Sequence, residues 1–215
     1  MNLSTSNSDT RHHTFAACDL CCERDDRTLF SQLNFKLHPG ETLLLQGRNG
    51  SGKTTLLRQL CGLRLPDDGR VMWDDTDINT LGTDFYRHMG YVGHRNGTKQ
   101  DLTALENLAL AQAFYGANGH SLDAALEKVG LYGYEDSLTR TLSAGQQRRL
   151  ALARLLVMGT RLWILDEPFT SLDVHSIETI EGLFESHTAA GGMLAVTSHH
   201  AINMNESAVQ RIDLS

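Results

Sequence analysis

"GRNGSGKTT", residues 47–55, decides how the rest of the chain is read. It fits the pattern G-x-x-x-x-G-K-[ST], and its neighbours supply the setting that pattern needs. The apolar run "TLLLQ" (42–46) before it predicts a short strand covered on both faces. "KTTLLRQLCGL" (53–63) after it predicts a helix ending near Gly62. The chemistry explains the residue types. Gly47, Gly50 and Gly52 allow backbone angles that a side chain would block. Their N–H groups can then face inward as an anion nest, with a helix N-terminus behind them. Lys53 supplies a point charge between β- and γ-phosphates, and the Thr54 hydroxyl is a hard oxygen suited to Mg²⁺. The whole run is assigned to a nucleotide: Gly47, Arg48, Asn49, Gly50, Ser51, Gly52, Lys53, Thr54 and Thr55.

Working outward, "TLFSQLNFKL" (28–37) alternates apolar and polar residues as a half-buried strand, and "HPGE" turns the chain into the strand before the loop. "RVMW" (70–73) is another short strand. Past residue 100 the pattern turns helical. "LTALENLALAQAFYG" closes at Gly116, "SLDAALEKVGL" opens on Ser121 and ends near Gly130, and "QQRRLALARLLVM" is a third helix. "LWILDE" (162–167) and "MLAVTS" (193–198) are strands on either side of the helical "VHSIETIEGLFESHTA" (174–189). Strand and helix alternate at both ends, with a helical insertion at about 100–158. That order predicts an α/β fold with an α-helical subdomain set into it. Residues 1–13 read as a flexible lead and 14–215 as a single domain.

"LWILDEP" is an apolar strand ending in two acids. At a strand tip beside a phosphate loop, Asp166 is suited to hold Mg²⁺. Glu167, next along, leaves the other side of the strand and can orient or deprotonate an attacking water. "LSAGQQRRLALARLL" holds a second anion site: Ser143 can cap the helix that follows, and Gly145 lets a ligand approach its backbone.

Composition narrows the partners. The chain has 215 residues, 40% hydrophobic, with a formal charge of -7 and a pI near 5.8. An acidic balance without a basic block argues against nucleic acid and against a polybasic membrane anchor. No stretch approaches the ~20 apolar residues of a membrane span, and the first residues lack the pattern of a secretory signal. Cys18, Cys21, Cys22 and Cys61 have poor spacing for a disulfide framework or a zinc set. They read as reduced, half-buried residues, three of them on an early strand.

Taken together, the phosphate loop, "LSAGQ" and the Asp-Glu strand tip resemble the ABC (ATP-binding cassette) ATPases, over nearly the whole chain from about Thr14. "SLD" (171–173) resembles that family's D-loop, ending at Asp173, and "TSHH" carries its switch histidine at His199. The resemblance implies a P-loop NTPase fold with a RecA-like α/β core, an antiparallel β subdomain and the inserted helical subdomain. It also implies ATP with Mg²⁺, held by Thr54 and Asp166. Catalysis would fall to Glu167, His199 and Lys53. Two copies would meet head to tail, each clasping ATP between its own phosphate loop and the other's Ser143–Gly145 helix.

Two departures narrow the family further. Where most ABC ATPases carry a glutamine that reaches Mg²⁺ and water, "MGYVGH" places His94, whose neutral imidazole keeps one donor and one acceptor. Where they stack adenine on an aromatic ring, this chain has Arg24, whose guanidinium plane can stack on a base. "CERDDRTLF", "YVGHRNGTKQDLTALENL", "LSAGQQRRLALARLL" and "WILDEPFTSLD" resemble the haem-exporter ATP-binding subunits of bacterial cytochrome c maturation, the CcmA family. That resemblance implies a peripheral subunit on the cytoplasmic face of the inner membrane, bound to the integral membrane subunits of the haem-export complex. The stretch after His94, through about Leu105, would be its contact with them. Other readings are the ATPase of another ABC exporter, a soluble mechanical ABC protein and a binding module with a dead site. The soluble proteins carry long coiled-coil insertions or paired cassettes with basic linkers, which this chain lacks. The dead site is disfavoured because Lys53, Asp166, Glu167 and His199 are all present.

Overall fold

A computed structural model describes residues 13–24, 27–117, 119–198 and 202–214. The chain opens with β1 (Phe15–Arg24), β2 (Arg27–Leu37) and β3 (Thr42–Gln46), then α1 (Lys53–Leu60). β4 (Asp68–Trp73), β5 (Thr76–Asp77) and two single-turn helices follow, α2 (Ile78–Leu81) and α3 (Thr83–Tyr86). After β6 (Met89–Val92) come α4 (Ala104–Tyr115), α5 (Leu122–Lys128) and α6 (Ala144–Met158). The chain then alternates through β7 (Leu162–Asp166), α7 (Val174–Ala189), β8 (Met193–Thr197) and β9 (Val209–Asp213).

The strands form two sheets. One is antiparallel, in the order β2-β1-β4-β5, and the other is parallel, in the order β6-β7-β8-β3-β9. Alternation along the parallel strands explains their apolar runs. Leu43, Leu45, Leu162, Ile164, Met193 and Ala195 face a core shared with the antiparallel sheet and α1. Leu44, Trp163, Leu165, Leu194 and Val196 face a second core built with α4, α5, α6 and α7. A sheet buried on both faces needs apolar residues at every position, which is why these strands read as unbroken runs.

Thr103 and Ser143 each open a helix with a reciprocal capping box, closed by Glu106 and Gln146 respectively. Ser121 caps α5 through the Ala124 N–H. Glycines in positive φ stand just past α4 and α5, at Gly116 (φ 83) and Gly130 (φ 67). β9 had no reading in the sequence: it is a partly exposed edge strand with Val209 and Ile212 as its apolar residues, and pairing with β3 gives it its form. The short α2 and α3 likewise lack the length for a helical period to be read.

Among the described residues the cysteines are free thiols, with Cys22 and Cys61 buried, Cys21 half-buried and Cys18 exposed. Burial raises the Cys61 thiol pKa well above its ordinary value, so it packs as a small apolar group. Among the described residues no helix is long and apolar enough to cross a membrane.

Candidate active site

Because its strands are parallel, the five-stranded sheet delivers four chain segments to one edge. β3 ends into the glycine loop, β6 into Gly93–His94, β7 into Asp166–Glu167 and β8 into Thr197–Ser198. Ligands of open α/β sheets bind at this carboxyl edge. A cleft of about 420 Å³ lies there. From the glycine loop and α1 it is lined by Asn49, Gly50, Gly52, Lys53, Thr54 and Thr55, and from the other segments by Arg24, Leu29, His94, Asp166 and Glu167. The two departures from the ABC pattern, Arg24 and His94, thus stand on the walls of one cleft with the phosphate loop.

The loop has the backbone its glycines suggest, with φ of 136° at Gly47, 82° at Gly50 and 106° at Gly52. A Cβ on Gly47 would lie 2.7 Å from Ser51 Oγ and 2.8 Å from the Leu214 carbonyl oxygen, so no other residue fits. Gly52 precedes α1 without offering a side-chain cap, leaving the first N–H groups of the helix open to the cleft. Lys53 is 8% exposed and its Nζ donates to the Gly47 carbonyl at 2.7 Å and the Arg48 carbonyl at 3.2 Å. It spans the loop it would share with a phosphate.

A hydrogen-bonded chain runs beneath the loop. Thr54 Oγ1 donates to Asp166 Oδ2 at 2.9 Å, and Thr197 Oγ1 donates to Asp166 Oδ1 at 2.9 Å. The Glu167 N–H in turn donates to Thr197 Oγ1 at 2.9 Å. Both carboxylate oxygens of Asp166, itself 3% exposed, therefore face hydroxyls. The register Asp166↔Thr197 between β7 and β8 sets this geometry. Glu167 has φ 50°, a left-handed conformation uncommon for a residue with a side chain.

Arg148, on the second turn of α6, secures the same edge. Its Nε donates to the Pro168 carbonyl at 3.1 Å. One terminal nitrogen donates to the Gly93 carbonyl (2.7 Å) and Asn96 Oδ1 (3.1 Å), the other to the carbonyls of Asp166 (2.6 Å) and Glu167 (2.8 Å). Burial lowers its pKa, while the charges of Asp166 and Glu167 favour the cation. Leaving a buried carbonyl without a donor costs about 1–3 kcal/mol.

Other predicted residues lie elsewhere. Ser143 and Gly145 are not among the residues lining this chain's cleft; Ser143 is exposed at the tip of α6. Gly145 has a reason within its own chain: a Cβ there would stand 2.7 Å from the Ser171 carbonyl oxygen. Ser171 (φ 67°) and Asp173 belong to the loop packed on that helix tip. Asp173 caps α7 by accepting from the Ser176 N–H at 2.7 Å, which lowers its carboxyl pKa. His199 lies outside the described residues, as does most of the 1–13 lead. His13 is described: it pairs with Asp74 and stacks on Trp73 at a centroid distance of 5.2 Å.

Sequence reasoning missed Thr197 and Arg148. Thr197 gives no signal until strand register is known. Arg148 does leave one: with Leu152 and Leu155 it follows the spacing of a buried helical stripe, where a charge is out of place.

Residues 30–170, about two thirds of the chain, match the ABC transporter family. Curated relatives extend the match to almost the whole chain. A cytochrome c biogenesis ATP-binding export protein CcmA from Nitrosospira multiformis is 48% identical over 204 residues, covering 94% of this chain and 99% of the relative. Its Escherichia coli K12 counterpart is 45% identical, covering 93% and 95%. This chain belongs to the CcmA family of ABC ATP-binding proteins. A solved ABC transporter ATP-binding protein from Pyrococcus furiosus, described as putative, shares the fold at TM-score 0.80 and 20% identity, covering 94% of this chain and 97% of that one. Membership of an ATP-binding family is shown by these matches, and the glycine loop, Arg24 and His94 line one cleft of the fold.

Proposed function

We propose that this CcmA-family chain hydrolyses ATP as the peripheral subunit of a haem-export complex serving cytochrome c maturation, on the cytoplasmic face of the bacterial inner membrane. The observation that carries the hydrolytic reading is the Thr54–Asp166–Thr197–Glu167 chain lying under the open N-terminus of α1. The near full-length identity to CcmA proteins supports the haem-export setting and implies integral membrane subunits as partners.

Gly50, Gly52 and the uncapped α1 N–H groups would receive the β- and γ-phosphates, with Lys53 turning from its loop carbonyls toward them. Arg24 would lie against the base, with Leu29 beside it. Thr54 Oγ1 and Asp166 Oδ2, 2.9 Å apart, suit Mg²⁺, which takes few protein oxygens and completes its shell with phosphate and water. When bound, Mg²⁺ would draw charge from the phosphate oxygens. Glu167 would accept the proton of the attacking water, with His94 and His199 orienting water and γ-phosphate. Ser143 and Gly145 would close the site of a second copy, making the working unit a head-to-tail homodimer that releases the haem-loaded chaperone through its membrane partners.

The test is Glu167→Gln in the full chain. It is expected to bind ATP as tightly as the native protein and hydrolyse it ~10²-fold more slowly or less, with dimers seen by sedimentation. Undiminished hydrolysis would remove the base assignment. Purification from membranes with identification of the bound subunits tests the haem-export setting; integral subunits of another exporter would replace it.

A further inference from the structure

Arg148 is 3% exposed, and each of its five N–H donors has its own acceptor. Four of those acceptors are main-chain carbonyls, and they belong to both walls of the cleft. Gly93 immediately precedes His94 on one wall, while Asp166 and Glu167 line the other and Pro168 follows them in the chain. The Glu167 carbonyl it holds belongs to a residue in the left-handed region, a conformation that needs outside support. Arg148 stands five residues beyond Ser143 on the same helix, so α6 is bolted to both walls near its tip.

We propose that Arg148 is a positioning residue for ATP hydrolysis, whose planar fork fixes the His94 loop and the Glu167 backbone in one relation and carries any shift of the α6 tip to this chain's own cleft. The proposal rests on reading that cleft as the hydrolytic site. A planar fork is what the geometry demands. Lysine has three donors on a point charge and glutamine has two, so neither can serve five acceptors in two loops. The phosphate loop itself makes none of these bonds, so ATP binding and catalytic geometry are separable at this residue.

The experiment measures kcat, KM and ATP affinity for the full chain carrying Arg148→Gln, Arg148→Lys, His94→Ala and the Arg148→Gln/His94→Ala pair. Arg148→Gln is expected to lower kcat at least tenfold with ATP affinity changed less than about threefold, and Arg148→Lys to recover part of the loss. In the Arg148→Gln background, His94→Ala is expected to cost less than twofold more, because the His94 loop is already released. A kcat within twofold of native for Arg148→Gln overturns the proposal. So does a parallel fall in affinity and kcat, or losses that multiply in the double variant. Should Arg148→Gln fail to fold, Asn96→Ala removes one acceptor only; a threefold or larger drop in kcat at native affinity supports the proposal, and native kcat overturns it. Failure of the underlying reading looks different: the native chain itself would show no hydrolysis sensitive to Glu167→Gln.

Discussion

The two helices whose starts the sequence marks as anion sites, α1 and α6, have N-termini finished in opposite ways. α1 follows Gly52, in the left-handed region and without a side-chain cap, so its first N–H groups remain open to the cleft. α6 follows Ser143, in extended backbone, and closes its first turn with a capping box to Gln146. An uncapped helix start is unstable alone and gains from a bound anion, whereas a capped one is already satisfied. α1 therefore has the helix start that a bound anion would complete, as the proposed phosphate site requires. α6 stands complete in its own chain and has only its exposed tip to offer another.

The sharpest way to test that difference is Lys53→Ala. ATP turnover should fall ~10²-fold or more, while the melting temperature changes little, because Lys53 ties together only two carbonyls of its own loop. Turnover near the native level would show that the α1 cradle is not the site of hydrolysis. Next in size is Ser143→Ala. Loss of the cap should cost about 1 kcal/mol of stability, seen in urea unfolding. If the tip also serves a second copy's nucleotide, hydrolysis should fall roughly tenfold as well. Lower stability with undiminished turnover would reduce α6 to a capped helix and remove the composite site.

The smallest effect at neutral pH lies at the opposite end of the parallel sheet, where the hydrogen-bonded cleft gives way to a ring stack. His187 lies flat on Trp163, with centroids 3.8 Å apart and planes at 8°, and Nε2 faces the Met193 carbonyl at 3.2 Å. Burial pushes its pKa from 6.5 down to about 4, outweighing the carbonyls of Met193 and Arg161 that favour the cation. The folded state thus refuses a proton that the unfolded chain accepts below pH 6.5. Stability should be unaffected above that value, fall as pH drops toward 4, and level off below it, by up to about 3 kcal/mol in all. His187→Phe should flatten this part of the profile in denaturant titrations. A slope unchanged by the substitution would place the titration elsewhere.

How much was legible follows from the range of the forces involved. Capping serines and threonines, the turn after "HPGE" and the glycine loop act within a few residues, so Ser121, Ser143 and Gly116 mark helix ends in the sequence itself. The unbroken apolar strands announce burial on both faces. β9 was silent because its strand form comes from pairing with β3. Thr197 was silent because only the β7–β8 register sets its hydroxyl between Asp166 and the Glu167 N–H. Gly145 was read through a ligand, yet the close approach it permits here is that of Ser171 in the same chain.

The sequence by itself determined the phosphate loop, the acidic strand tip, the capped helices and membership of a family, because each depends on residue types at short spacing. Only the tertiary structure decided that Arg24 and His94 share a cleft with that loop, and that one buried guanidinium joins its two walls. Those relations depend on parallel strands ending at a common edge, a condition met by strand order and register across more than a hundred residues of chain.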